Sequence, residues 1–224
     1  MDDNVIEFNE FTAPTSCTNG EVCCWLCQRG TSLRALFCQH CGSIQPVRAL
    51  DHFSRLGLER RIDIDSALLE RRYNSLKKAL DPARFAIRGL GERGHAAKQY
   101  KALEEAYDTL REPLRRGRYW LALHEREVKE AEGSNPMVAE LRAELEGASL
   151  PPQCDRIAHK AGTAMEQGIV SLMQALRSQN WQLANAILME VDGLENLMDD
   201  VRGRRTSLAL TAAPSSDEDV TRIK

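Results

Sequence analysis

Residues 51–85 read DHFSRLGLERRIDIDSALLERRYNSLKKALDPARF, and the architecture of the chain turns on this stretch. Asp65 is a good N-cap for a helix whose apolar residues Leu69, Tyr73, Leu76 and Leu80 recur at helical spacing. Pro82 ends that helix. The helix also has a basic surface, with Arg71, Arg72, Lys77 and Lys78, and Arg84 and Arg88 carry the charge beyond the turn. By composition such a face is a solvated one, and Asp81-Pro82 is a helix-stop turn.

Helical patterns continue outward. Tyr100, Leu103, Tyr107 and Leu110 share one face; Pro113 then stops this helix and suits the first turn of a short helix to His124. Asn135 and Pro136 open another helix, with Met137, Val138, Leu141 and Leu145 as its stripe. Two more follow, carrying Ile157, Ala161, Met165, Leu172 and Leu176, then Ile187, Val191, Leu194, Met198 and Val201. No strand pattern stands out beyond the cysteine segment. The expected fold is all-α: a helical domain at 51–125, a Gly-Ser turn closing 126–134, and a three-helix bundle at 135–202. Residues 1–22 are acidic and 203–224 are rich in Ser, Thr, Pro and Asp, so both are expected to be disordered tails.

In front of the helices, residues 23–44 form a cysteine module. Cys24-Trp-Leu-Cys27 and Cys38-Gln-His-Cys41 are two pairs with ten residues between them. Two residues between cysteines let a tight turn aim both sulfurs at one point, and two facing turns close a tetrahedral shell around a structural zinc. Gly30 and Gly42 suit the backbone after each turn. Iron in the same ligands and a reduced pair of dithiols are the alternatives. Cys23 is a less regular substitute for Cys24, His40 a bystander, and Cys17 and Cys154 ordinary thiols. A full shell leaves no open position for catalysis.

The chain has 224 residues, a length suited to one or two domains. A net charge of -3 argues against a nucleic-acid binder built on phosphate neutralisation. No apolar run reaches the length of a membrane span. The first 22 residues lack Lys and Arg, which fits neither a secretory signal nor a mitochondrial presequence, so the expected compartment is the cytosol. No His/Asp/Ser constellation or phosphate loop points to an enzyme.

The stretch at 51–85 resembles the J-domain of the HscB family, the co-chaperones of iron–sulfur cluster assembly. That family opens with D-Y-F-x-x-F/L-G-L, here Asp51-His-Phe-Ser-Arg-Leu-Gly-Leu58. AYDTLREPLRRGRYWLALH at 106–124 is similar to its next helices, and NWQLANAILMEVDGLENL at 180–197 to its last. Several eukaryotic members also carry paired CxxC turns before the J-domain. The resemblance spans roughly 22–201 and implies a J-domain-like fold, a DnaK-type chaperone as partner and an iron–sulfur scaffold protein as client.

The family's His-Pro-Asp tripeptide falls on Asp81, Pro82 and Ala83, so only the proline is kept; Arg84 and Phe85 match its Lys-Phe. By resemblance, the chaperone-binding residues are Arg71, Arg72, Lys77, Lys78, Asp81, Pro82, Ala83 and Arg84. The basic helix can steer towards an acidic surface. The Ala83 side chain cannot accept a charge-assisted hydrogen bond, however, and the ionised Asp81 carboxylate cannot donate one. One lost charge-assisted bond costs roughly 1.5–3 kcal/mol, about 10–150-fold in a coupling constant. Impaired ATPase stimulation is therefore expected. The family's client patch falls on Met137, Val138 and Leu141, whose alternative role is to pack the bundle; Gly193 stands where the family has a bulky aromatic. The other expected function is an adaptor that kept the J-domain fold and lost chaperone stimulation.

Overall fold

The computed structural model describes residues 16–17, 21–124 and 135–212; the expected turn at 126–134 and most of both expected tails lie outside the described residues. The chain divides into two compact units, residues 1–112 and 113–224.

The first unit begins earlier than expected. Strands β1 (Ser16–Cys17), β2 (Glu21–Cys23) and β3 (Gly30–Thr31) form an antiparallel sheet in that order, Val22 pairing with Ser16 and Thr31. Residues 16–17 and 21–22 thus belong to the sheet and not to a tail. Strands this short carry no alternation that could announce them.

Three helices follow: α1 (His52–Leu56), α2 (Ser66–Ala79) and α3 (Leu90–Arg111). Asp51 caps α1 by accepting from Ser54 N at 3.0 Å. Gly57 ends it with a left-handed φ of 65°, which a side chain would strain. Asp65 caps α2, accepting from Ala67 N at 2.8 Å. Phe53 and Leu56 are buried, as are Leu69, Leu80, Leu103, Tyr107 and Leu110 of the apolar faces read from the sequence, while Tyr73, Leu76 and Tyr100 are half-buried. A 3-10 turn, Pro82–Phe85, joins α2 to α3 and buries Phe85.

The second unit holds α4 (Pro113–Leu123), α5 (Pro136–Glu146), α6 (Pro151–Arg177) and α7 (Trp181–Ala212). Helix α4, expected with residues 51–125, packs instead on α6 and α7. Its Gly117 lets α6 come close: a Cβ there would meet Leu172 Cδ2 at 2.9 Å. Helix α7 continues beyond residue 202 to Ala212, correcting the expected tail. Arg204 donates to Ala148 O at 3.0 Å, Arg205 pairs with Asp155 at 2.6 Å, and Leu208 packs on the core, so tertiary contacts support this extension. Among the described residues, no helix is long and apolar enough to cross a membrane.

Candidate metal centre and the basic turn

Two loops of matching geometry build the cysteine site. In the first, Gln28 N donates to Cys24 O at 3.0 Å and Cys24 N to Arg29 O at 2.9 Å. In the second, Gly42 N donates to Cys38 O at 2.9 Å and Cys38 N to Ser43 O at 2.8 Å. The residue after each pair is left-handed: Gln28 at φ 61° and Gly42 at φ 71°. Gln28 therefore takes the place expected of Gly30. Gly30 lies in β3 beside Glu21, whose Oε2 would sit 2.1 Å from a Cβ there.

The sulfurs of Cys24, Cys27, Cys38 and Cys41 all lie within 4.8 Å of one another. Cys24 and Cys41 are 3.7 Å apart, as are Cys27 and Cys38. A zinc–sulfur bond of about 2.3 Å spaces tetrahedral sulfurs about 3.8 Å apart, so the site fits such an ion with little movement. His40 and Cys23 stand outside this group, and Cys23 is disulfide-bonded.

Donors surround the sulfurs. Leu26 N and Gln45 Nε2 reach Cys24 at 3.4 and 3.3 Å, His40 N reaches Cys38 at 3.4 Å, and the Ser43 hydroxyl lies 3.1 Å from Cys41. Burial raises the Cys24 thiol, but hydrogen bonds from Cys27, Ser43, Leu26 and Gln45 outweigh it and bring the thiol down to about 5. The Ser43 bonds lower Cys41. Cys27 has a backbone bond from Arg29 that favours its thiolate, yet burial and the neighbouring sulfurs push it up to about 11. Four thiolates at this distance repel, and a cation among them removes the conflict.

The module is anchored to the helices of its own unit. Trp25 sits edge-on to His95 with centroids 4.9 Å apart, and its indole donates to Ile44 O at 2.7 Å. Gly91 gives Trp25 room, since a Cβ there would meet the indole at 3.1 Å. Phe37 stacks on Phe85. Buried Gln99 of α3 donates to Gln45 O at 3.1 Å and Pro46 O at 3.2 Å, satisfying linker carbonyls. Trp25, Ser43, Gln45 and Gln99 were not read as site residues. Only the tryptophan inside the CxxC pair hinted at a docked face.

At the end of α2, the Asp81 carboxylate turns onto its own chain and accepts from Ala83 N at 2.9 Å. Asp81, Pro82, Ala83 and Arg84 are exposed. Arg84 donates to Lys78 O at 3.2 Å. Arg71, Arg72 and Lys78 are exposed as well, whereas Lys77 is engaged: it donates to Tyr73 OH at 3.1 Å and lies over the Tyr73 and Tyr100 rings. The Tyr73 bond, followed by Tyr100, holds the Lys77 ammonium above its usual range.

In the second unit, Met137 is 45% exposed, while Val138 and Leu141 are 4% and 5% exposed and belong to the core. Val138 packs against Gly193, where a Cβ would meet it at 3.2 Å. Met137 and Leu141 both line a depression of about 450 Å3, with Glu140, Glu144, His159 and Lys160.

No family model matches the chain. It is 29% identical over 197 residues to an iron–sulfur cluster co-chaperone protein HscB homolog of Arabidopsis thaliana, covering 85% of this chain and 77% of that one. It is 31% identical to a co-chaperone protein HscB homolog of Vibrio cholerae, over 61% of this chain and 85% of the relative. The crystal structure of human co-chaperone protein HscB superposes with a TM-score of 0.72 at 24% identity, over 83% of this chain and 99% of that one, a likeness of fold.

Proposed function

The chain belongs to the HscB family of J-domain co-chaperones of iron–sulfur cluster assembly, and on that premise we propose that it binds a DnaK-type chaperone through α2 and an iron–sulfur scaffold protein through the Met137 depression, with impaired stimulation of ATP hydrolysis. The proposed compartment is the cytosol, and no catalytic role is proposed. Cys24, Cys27, Cys38 and Cys41 hold a structural zinc, which closes the knuckle.

One observation carries the impaired stimulation. The Asp81 carboxylate is spent on Ala83 N, and position 83 has no acceptor side chain. Arg71, Arg72 and Lys78 still offer charge, so association remains, screened as salt rises. Lys77, assigned to the chaperone by resemblance, is engaged by Tyr73 of α2 and Tyr100 of α3. On the client side, Met137 is the exposed anchor, Leu141 lines the same depression, and Val138 belongs to the core. The self-satisfied turn also favours the second reading, an adaptor without chaperone stimulation.

The test is the single-turnover ATPase rate of a DnaK-type chaperone. The natural protein is expected to give little or no acceleration. Asp81→His with Ala83→Asp is expected to raise it at least about tenfold. Strong stimulation by the natural protein overturns the impairment. Absence of binding by both proteins leaves the adaptor reading.

A further inference from the structure

An open cleft of about 870 Å3 lies between the knuckle, the segment after α1 and the outer face of α2. Three arginines reach it from distant parts of the chain: Arg34 from the loop between the two cysteine pairs, Arg71 and Arg72 from α2. All three are exposed, and none of the three guanidiniums makes an ion pair or hydrogen bond among the described residues. Two other arginines in the lining are held by the protein itself. Arg55 donates to Arg48 O at 2.9 Å, and Arg60 pairs with Asp51 at 2.7 Å. The single carboxylate in the lining, Glu59, faces Arg61 at 3.8 Å. Three positive charges are therefore gathered without a counter-charge.

The floor is of a different character. Leu36, Leu68 and Leu76 are half-buried and leave apolar surface in the cleft. A lone anion would satisfy one or two guanidiniums and leave these leucines in water. A polypeptide segment bearing both carboxylates and leucines covers both features, and the cleft accommodates several side chains. Arg34 is also pre-positioned. Arg48 donates to Ser32 O at 2.8 Å and Leu33 O at 3.2 Å, pinning the loop just before it. The second pair of metal-binding cysteines closes the same loop on its other side.

We propose that this cleft seats an acidic, leucine-bearing segment of the DnaK-type chaperone, so that the metal knuckle supplies Arg34 to the docking surface. The proposal rests on the reading of the chain as a co-chaperone whose α2 faces that chaperone. The knuckle then works as one wall of a binding site, and its metal maintains that wall.

The experiment measures the affinity of the full-length, metal-loaded protein for a DnaK-type chaperone by titration calorimetry. Arg34→Glu is expected to weaken binding roughly tenfold, with zinc content and melting temperature unchanged. Arg34→Lys should keep most of the affinity. Lys101→Glu makes the same charge change on α3 outside the cleft and should leave affinity near that of the natural protein. If Arg71→Glu weakens binding but Arg34→Glu behaves like Lys101→Glu, the knuckle is no part of the surface and the proposal fails while the co-chaperone reading stands. If the natural protein does not bind, both fail together. Deleting residues 1–12 should leave affinity unchanged; a several-fold gain would assign the cleft to the chain's own acidic segment and overturn the proposal.

Discussion

The cysteine knuckle and the turn at residues 81–83 lie in the same unit and are both short signatures, yet one is complete and the other has kept a single residue of three. The knuckle's four sulfurs converge on one point, one for each corner of a tetrahedral site. The turn faces outward. Pro82 stops α2, Phe85 buries itself, and Asp81 closes the first peptide group. Those three tasks are all that the fold asks of it. On the proposed reading the other two members of the family's tripeptide act on a partner, and the turn here closes without them.

The largest effect that separates these regions should come from the metal. Cys24→Ser or Cys41→Ser is expected to abolish retention of about one zinc per chain, whereas Cys154→Ser, whose thiol is buried in the second unit, should keep it. Zinc release on denaturation is the measurement, and unchanged zinc in either knuckle variant removes the four-cysteine assignment. Chelation should spare most helical circular dichroism, because α1 to α3 have their own core. It should also lower the melting temperature of that unit, because Trp25 and the Gln99 contacts tie the knuckle to α3. An unchanged melting temperature would show that the docking adds nothing to stability.

The same contrast recurs in the second unit between neighbouring residues. Val138→Asp places a charge in the core and should cost on the order of 4 kcal/mol. Met137→Asp should cost less than about 1 kcal/mol and weaken scaffold binding instead. Thermal melts beside a scaffold-binding assay separate the two. Equal destabilisation would make Met137 a packing residue too.

A smaller effect concerns Asp51. Burial raises its carboxyl, but Arg60 and Ser54 outweigh burial and hold it well below the usual carboxylate range. A depressed folded-state pKa contributes stability that is present above the unfolded value of about 3.9 and is lost as pH falls below it. Asp51→Asn should therefore flatten the fall in melting temperature between roughly pH 5 and pH 2. An equally steep fall in the variant would place the acid sensitivity elsewhere.

The smallest effect belongs to the turn. Asp81→Ala removes one cap of an exposed 3-10 turn and should cost about 1 kcal/mol. A loss several times larger in chemical denaturation would mean that the turn supports the core, and the contrast with the knuckle would collapse.

Spacing alone located what repeats or ends abruptly. The CxxC pairs, the Asp65 and Asn135 caps, the proline stops and the inward faces of α2, α3, α6 and α7 follow from local rules acting over a few residues, and the structure keeps them. Distance in sequence hid the rest. Strands of two and three residues are too short to show an alternation, and the place of α4 beside α6 and the length of α7 depend on partners dozens of residues away. So does the division of neighbours into surface and core. Met137 and Val138 are adjacent apolar residues on one stripe, and Lys77 and Lys78 adjacent cations on one helix. Only the packing of Gly193 against Val138, and of Tyr73 and Tyr100 around Lys77, decides which member of each pair faces out. Periodicity assigns a residue to a side of a helix; the neighbours that the fold brings there determine how much of it remains in water.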